Sequence, residues 1–265
     1  MNNRIILAAL ISMVSAARVG AQNPPVPVIP GWEGVAPRTR PDGGALGPVV
    51  LTYMATLQQG PETRPLGERS VQLQRSTYAG LSAWEIVEIR GAGLNASVDT
   101  LVVDFLSLSP YHWGATQPTP GGGTGPVSAR VTVEIRSDTM MGVMSSPAGR
   151  RTIVAGMPPG AYYTAAHLET ALRALPIGSG WRDSTWIIVS SLGNTAALPA
   201  SIMVVGQEQL LTPAGTFDCW IVALTTDVGR TQYWVSKPDR IVVQMSQMVP
   251  ESGALLQYQL SRISH

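Results

Sequence analysis

The sequence predicts a mainly β domain: a strongly curved antiparallel sheet of about a dozen strands, an incomplete barrel, with one main amphipathic helix packed on its concave side. Three observations carry this. Apolar and polar residues alternate with a period of two along most of the chain after residue 49, as in 129–136, where Val131, Val133 and Ile135 interleave with Thr132, Glu134 and Arg136. Several segments are separated by turns as short as Tyr78-Ala79-Gly80 and Asp227-Val228-Gly229, which suit hairpins and are too short for parallel crossovers. A helical stripe occurs in residues 163–175, where Leu168, Ala171, Leu172 and Leu175 fall at i, i+3, i+4 and i+7 before Pro176 closes it.

The chain opens with Met1-Asn2-Asn3-Arg4, then an apolar run from Ile5 to Val14, then the small-residue sequence Val19-Gly20-Ala21. This is the order of a secretory signal peptide over residues 1–21, with cleavage before Gln22. The apolar run is too short for a hydrocarbon core that needs about 20 residues. Cys219 is the only cysteine, so no lipid can be attached at the cleavage point and no intramolecular disulfide can form. The protein is therefore expected to be exported, to the periplasm or the cell surface, and to have no transmembrane span after cleavage. Residues 22–48 are dense in Pro and Gly and read as an extended tether, which leaves 49–265 as a single β-rich domain.

Within that domain, strands are expected at 51–57, 68–77, 82–90, 98–106, 129–136, 139–145, 150–155, 184–192, 201–211, 216–226, 230–237, 240–248 and 256–260. The glycine- and proline-rich stretch 114–126 reads as a long loop. It lacks the Gly-Lys-Ser/Thr and following helix of a phosphate loop. The helical stripe has an apolar face to bury, and the concave side of the sheet is its natural partner.

Composition narrows the function. Lys and Arg total 18 against 17 for Asp and Glu, with no cluster of either sign, so nucleic acid and anionic lipid surfaces have no electrostatic footprint. No His-x-x-x-His, Cys-x-x-Cys or Asp-rich calcium loop supplies a metal site, and no cofactor is expected. Catalysis has one candidate, His112, in a loop-like setting with Asp99 and Asp104 on the strand before it. A hydrolase would further need a serine nucleophile within hydrogen-bond reach. Cys219 reads as a buried strand residue, and Glu85 and Glu88 fall on opposite strand faces. No enzymatic activity is expected.

What remains is apolar and aromatic content on the inward faces. A pocket between sheet and helix, walled by Trp84, Leu101, Val103, Val133 and Trp186 with Leu168 and Leu172 from the helix, would accept a lipid or acyl chain.

The carboxyl half carries the succession Val204-Val205-Gly206, Thr212-Pro213-Ala214-Gly215-Thr216-Phe217-Asp218-Cys219-Trp220, Tyr233-Trp234-Val235-Ser236 and Ile241 to Met245. With the 97–104 segment ahead of Ser109-Pro110, and Leu172-Arg173-Ala174-Leu175-Pro176 before Gly180-Trp181, this order resembles bacterial envelope proteins of domain-of-unknown-function families grouped with the LolA/LolB-like lipoprotein-carrier fold. The resemblance spans most of residues 49–262. It implies an incomplete antiparallel barrel closed by helix and loop over an apolar cavity, and a lipid, acyl chain or lipoprotein as partner. The single clear helix departs from the carriers, which have more, and no lipid-handling motif of theirs is matched. Two functions follow as expectations. The leading one is an exported protein holding a hydrophobic ligand in the sheet–helix cavity, with the helix as lid. The alternative is a structural or protein-interaction module of the envelope with a solid core.

Overall fold

The computed structural model describes residues 39–91, 96–119, 127–136, 138–158, 160–162, 165–191, 194–249 and 252–265. The expected signal peptide and most of the expected tether lie outside these.

Fourteen strands form one antiparallel sheet: β1 (Val49–Gln59), β2 (Glu62–Tyr78), β3 (Leu81–Arg90), β4 (Ser97–Asp104), β5 (Pro110–Thr119), β6 (Val127–Arg136), β7 (Thr139–Ser146), β8 (Gly149–Gly156), β9 (Arg182–Ser191), β10 (Asn194–Thr212), β11 (Gly215–Thr226), β12 (Gly229–Ser236), β13 (Val242–Val249) and β14 (Ala254–Ser264). One α-helix, α1 (Ala165–Ala174), joins β8 to β9. The spatial order is β8 to β1 followed by β14 to β9, so two meanders meet where the first strand pairs with the last. The sheet is curved and does not close, with β8 and β9 at its two ends.

Curvature has identifiable causes. The pairing register slips at Thr52/Tyr53, Ala55/Thr56, Val102/Val103, Val204/Gly206 and Trp234/Val235, and each slip bends its strand and increases local twist. Pro65, which cannot donate to a ladder, sits beside one such slip in β2, opposite Thr56. Gly142 of β7 marks a close backbone approach. A Cβ there would meet Thr132 O at 2.1 Å and Val133 Cα at 2.8 Å.

The alternation resolves as expected. In β6, Val131, Val133 and Ile135 are buried while Arg130, Thr132 and Arg136 are exposed. No helix among the described residues is long and apolar enough to cross a membrane.

Three differences from the sequence reading have physical reasons. Residues 114–119, expected in a long loop, belong to β5, which pairs with β4 on one side and β6 on the other. Tertiary pairing overrides the weak strand preference of Gly114 and Pro118. His112 is consequently a strand residue and not a loop residue. Residues 39–48, expected in the tether, are packed on the domain. Leu46 is buried, Asp42 N donates to Ala174 O at 3.0 Å, Gly43 N donates to Leu106 O at 2.8 Å, and Trp84 Nε1 donates to Gly43 O at 3.0 Å. The helix is observed over Ala165–Ala174, and the expected residues 163 and 164 lie outside the described set.

Candidate functional site

The helix sits in the concavity of the sheet, and the residues beneath it form the most unusual feature of the molecule. Its Ala- and Leu-rich sequence favours helix. Leu168, Ala171 and Leu172, with Leu175 just beyond, carry its stripe into the core, all at 2% exposure or less. Its carboxyl end is well satisfied: Asp42 N donates to Ala174 O, and the Arg240 guanidinium donates to Leu175 O at 2.5 Å, adding a cation where the helix dipole is negative. His167, 1% exposed, donates through Nε2 to Leu108 O at 2.8 Å and meets the Tyr162 ring edge-on. Burial lowers its pKa to about 4, so the ring is neutral at neutral pH.

The same helix brings a carboxylate into the interior. Arg69 of β2, 2% exposed, donates to Glu88 of β3 at 2.5 Å and to Glu169 of α1 at 2.9 Å. Glu88 also accepts from Arg90 at 2.7 Å, and Arg90 faces Asp99 of β4 at 3.5 Å. The Arg69 guanidinium lies 5.3 Å from the Tyr53 ring centroid and 5.2 Å from that of Tyr258. These positions follow from strand phase. Arg69 continues the inward row of Val71 and Leu73, Glu88 that of Trp84 and Ile86, and Asp99 that of Leu101 and Val103.

Burial by itself would raise Glu88, but the Arg69 and Arg90 guanidiniums outweigh it and hold the carboxyl down at about 2. Asp99 is raised to about 6, because burial prevails over the pull of Arg90. Burial also raises Glu169 against the pull of Arg69. The network is incompletely satisfied: Arg69 Nη2, Glu88 Oε2, Glu169 Oε2 and Arg173 Nε are buried without a hydrogen-bond partner.

The seven residues expected to wall a pocket, Trp84, Leu101, Val103, Val133, Leu168, Leu172 and Trp186, all belong to one core, at 3% exposure or less. They pack as interior. The best-formed cleft lies instead between α1 and strands β1, β2 and β13, lined by Val49, Leu51, Val71, Leu73 and Val242 on the sheet side and Glu169, Thr170 and Arg173 on the helix side. Its gross volume is about 250 Å³ counting its open mouth, but the space that the centre of a water-sized sphere can reach is only about 10 Å³. That is about the room one water needs.

On the convex face His112 is paired through Nδ1 with Glu134 of β6 at 2.8 Å, and not with Asp99 or Asp104. Glu134 also accepts from the Tyr78 hydroxyl, whose ring stacks on Tyr111 at 5.2 Å. Asp104 instead accepts from Tyr111 at 2.7 Å and from Ser107 at 2.8 Å. A histidine–carboxylate pair is thus present, but no serine hydroxyl is bonded to His112 among the described residues. Cys219 is buried, and burial pushes its thiol up to about 11. No cluster of His, Cys, Asp and Glu suited to a metal occurs among the described residues.

The two ends of the sheet differ. On β9, Tyr162 N donates to Trp186 O and Ile188 N donates to Tyr162 O, both at 2.9 Å, so part of that edge is covered. On β8, residues 149–152 and Val154 are exposed. Val154, 52% exposed, lies directly opposite Met141 of β7, 55% exposed, which places an apolar patch at an edge that no strand pairs with among the described residues.

Fold and interior together define a β-barrel-like protein whose concavity is plugged by a helix. Residues 130–258, from β6 to β14 and including α1, match a family described as a protein of unknown function, DUF3108. No curated protein matches the chain. Among solved structures it is similar to a beta-barrel-like protein of the domain of unknown function DUF1849 from Brucella abortus, with a TM-score of 0.55 and 11% identity over 85% of this chain and 98% of that one. A DUF1329 family protein from Desulfovibrio piger is a more distant likeness, with a TM-score of 0.28 and 12% identity over 84% of this chain and 87% of that one. The Brucella likeness is one of fold.

Proposed function

We propose that the chain is a non-enzymatic structural or protein-interaction module of the cell envelope, which offers the free edge of its sheet to a partner strand. The observation that carries this reading is the filled interior: α1 occupies the concavity, the apolar side chains pack there as core, and the best-formed cleft leaves only about 10 Å³ to the centre of a water-sized sphere. A carrier of acyl chains would need a space of roughly 300 Å³ or more. The edge of β8, which no other strand pairs with among the described residues, supplies a row of backbone donors and acceptors together with the Met141–Val154 patch, the combination that strand addition uses. Export rests on the amino-terminal sequence pattern.

The test is photo-crosslinking in cells from Thr152 at the β8 edge, compared with Thr132 on the convex face of β6. The expected result is one discrete protein adduct from position 152, absent from position 132 and lost in Val154→Pro. No discrete adduct from the edge would overturn the reading.

A second reading keeps a hydrophobic ligand and makes α1 a displaceable lid. It is favoured by the continuity of the core, which joins Leu168 and Leu172 of α1 to Trp84, Leu101, Val103, Val133 and Trp186 of the sheet in one apolar cluster. Saturable uptake of a fluorescent long-chain fatty acid, with increased amide exchange in 165–174, would favour it over the first.

A further inference from the structure

The edge of β8 carries charge as well as backbone, and the register of the sheet says where. Just past the paired ends of β7 and β8, Met157 N donates to Asp138 O at 2.6 Å, in line with the Thr139–Gly156 pair. In an antiparallel ladder bonded and non-bonded pairs alternate, so the odd-numbered residues of β8 are the ones that bond to β7. The backbone groups of Arg150, Thr152 and Val154 therefore point the other way, toward the edge that no strand pairs with among the described residues. Their side chains share the convex face with exposed Met141 and stand out of phase with buried Met140.

Along this row the chemistry changes. Arg150 is exposed at one end, and Arg130 of β6, also exposed, is level with it, since both lie opposite Ser145 of β7. No ion pair engages either guanidinium among the described residues. Glu134, on the same face of β6, is committed to His112 and Tyr78. Four residues beyond Arg150 the surface becomes the Met141–Val154 patch. A second copy of β8 matches this row poorly, because antiparallel pairing about Thr152 sets Arg150 against Val154 and brings no carboxylate to either arginine.

We propose that the occupant of the β8 edge is an acidic, extended polypeptide segment in which an aliphatic residue is followed four positions later by Asp or Glu. This rests on the edge reading above and deepens it to a class of partner. Antiparallel addition, which continues the pairing used throughout the sheet, reverses the order of β8. The aliphatic residue then lies opposite Val154 and the acid opposite Arg150, as directly paired side chains of a ladder require. The residue after the aliphatic one falls opposite Ile153, which is half-buried and packed against the core, so it is apolar as well. Backbone bonds at Arg150, Thr152 and Val154 supply the attachment, and the two arginines choose the charge.

The test is titration of the full chain with the peptide acetyl-Thr-Val-Val-Thr-Ser-Glu-Thr-amide, following backbone amides by NMR, with the same peptide carrying Lys in place of Glu as control. The Glu peptide should shift β8 saturably and slow amide exchange at Thr152 and Val154, whose N–H groups the added strand takes up. The Lys peptide should bind about three- to tenfold more weakly, since like charge replaces opposite charge across the pair, and the difference should shrink in about 0.5 M salt. Arg150→Glu, a change at an exposed position, should reverse the preference between the two peptides. Equal binding of both peptides, or a preference that Arg150→Glu leaves unreversed, overturns the acidic assignment while the edge reading stands. Binding of neither peptide also overturns it, and crosslinking from position 152 then decides the edge reading separately. A dimer in sedimentation that Val154→Pro abolishes would make a second copy the occupant and overturn the proposal as well.

Discussion

Replacing Arg69 by methionine should be among the most damaging single changes in this protein. The guanidinium is 2% exposed and is shared by Glu88 at 2.5 Å and Glu169 at 2.9 Å, so its removal strands carboxylates in the interior. Breaking a buried pair in this way costs about 3–5 kcal/mol. Glu88 keeps Arg90 at 2.7 Å, so Glu169 is the group left uncompensated. For a chain of this size the expected fall in Tm is about 2–4 °C per kcal/mol, or roughly 6–20 °C in all. The second half of the prediction isolates the cause: Arg69→Met combined with Glu169→Gln should recover about 2 kcal/mol or more of that loss, since no charge is then stranded on α1. Urea unfolding followed by tryptophan fluorescence and far-ultraviolet circular dichroism measures both variants. If Arg69→Met costs under about 1 kcal/mol, or the two substitutions are simply additive, the ion pair does not fasten the helix to the sheet and the reasoning fails.

The remaining predictions concern the same interior and its walls. Asp99, raised to about 6, favours folding fully below its ordinary value of 3.8 and loses that contribution as pH rises through about 6, whereas His167, lowered to about 4, favours folding above 6.5 and loses it as pH falls through about 4. The two oppose each other between pH 7.5 and 4.5, each by about 2–3 kcal/mol. Urea midpoints should therefore fall on acidification in Asp99→Asn and rise in His167→Gln, and parallel profiles in the two variants would contradict the assignment. Glu88, held at about 2, stabilises the fold above 4.5 and loses that contribution as pH falls toward 2, so Glu88→Gln should flatten the acid limb of the unfolding curve. Gly142→Ala should destabilise by about 1–3 kcal/mol, because its Cβ would collide with Thr132 O, and a neutral effect in thermal unfolding would mean that β6 and β7 separate freely.

Much of this architecture was legible in the sequence, for a physical reason: an antiparallel sheet with one face buried writes its period directly into the chain, as 129–136 does in β6. The helix was legible for the same reason, its stripe of Leu168, Ala171, Leu172 and Leu175 being wholly buried. Strand β5 was not, because Pro110, Gly114 and Pro118 disfavour strand locally and only pairing with both neighbours imposes it. The packing of residues 39–48 was hidden likewise, since Pro and Gly there obscure contacts made mainly by backbone atoms such as Asp42 N and Gly43 O.

The interior ion network was half legible. Arg69, Glu88 and Asp99 each stand in the inward phase of an apolar alternation, a signal that strand phase alone could have supplied. Their meeting with Glu169 depends on how the helix lies across the sheet, which no local pattern encodes. Likewise, the apolar residues expected to wall a pocket do lie together. Whether such residues surround a space or fill it is decided by side-chain volumes summed across facing elements.

The central claim is that side chains and α1 fill the concavity and leave no room for a long acyl chain. Native mass spectrometry of the protein purified from cells that make it, before and after organic extraction, tests this most directly. The account predicts the mass of the polypeptide alone in both spectra. A one-to-one apolar adduct that disappears on extraction would contradict it and return the helix to the role of a lid.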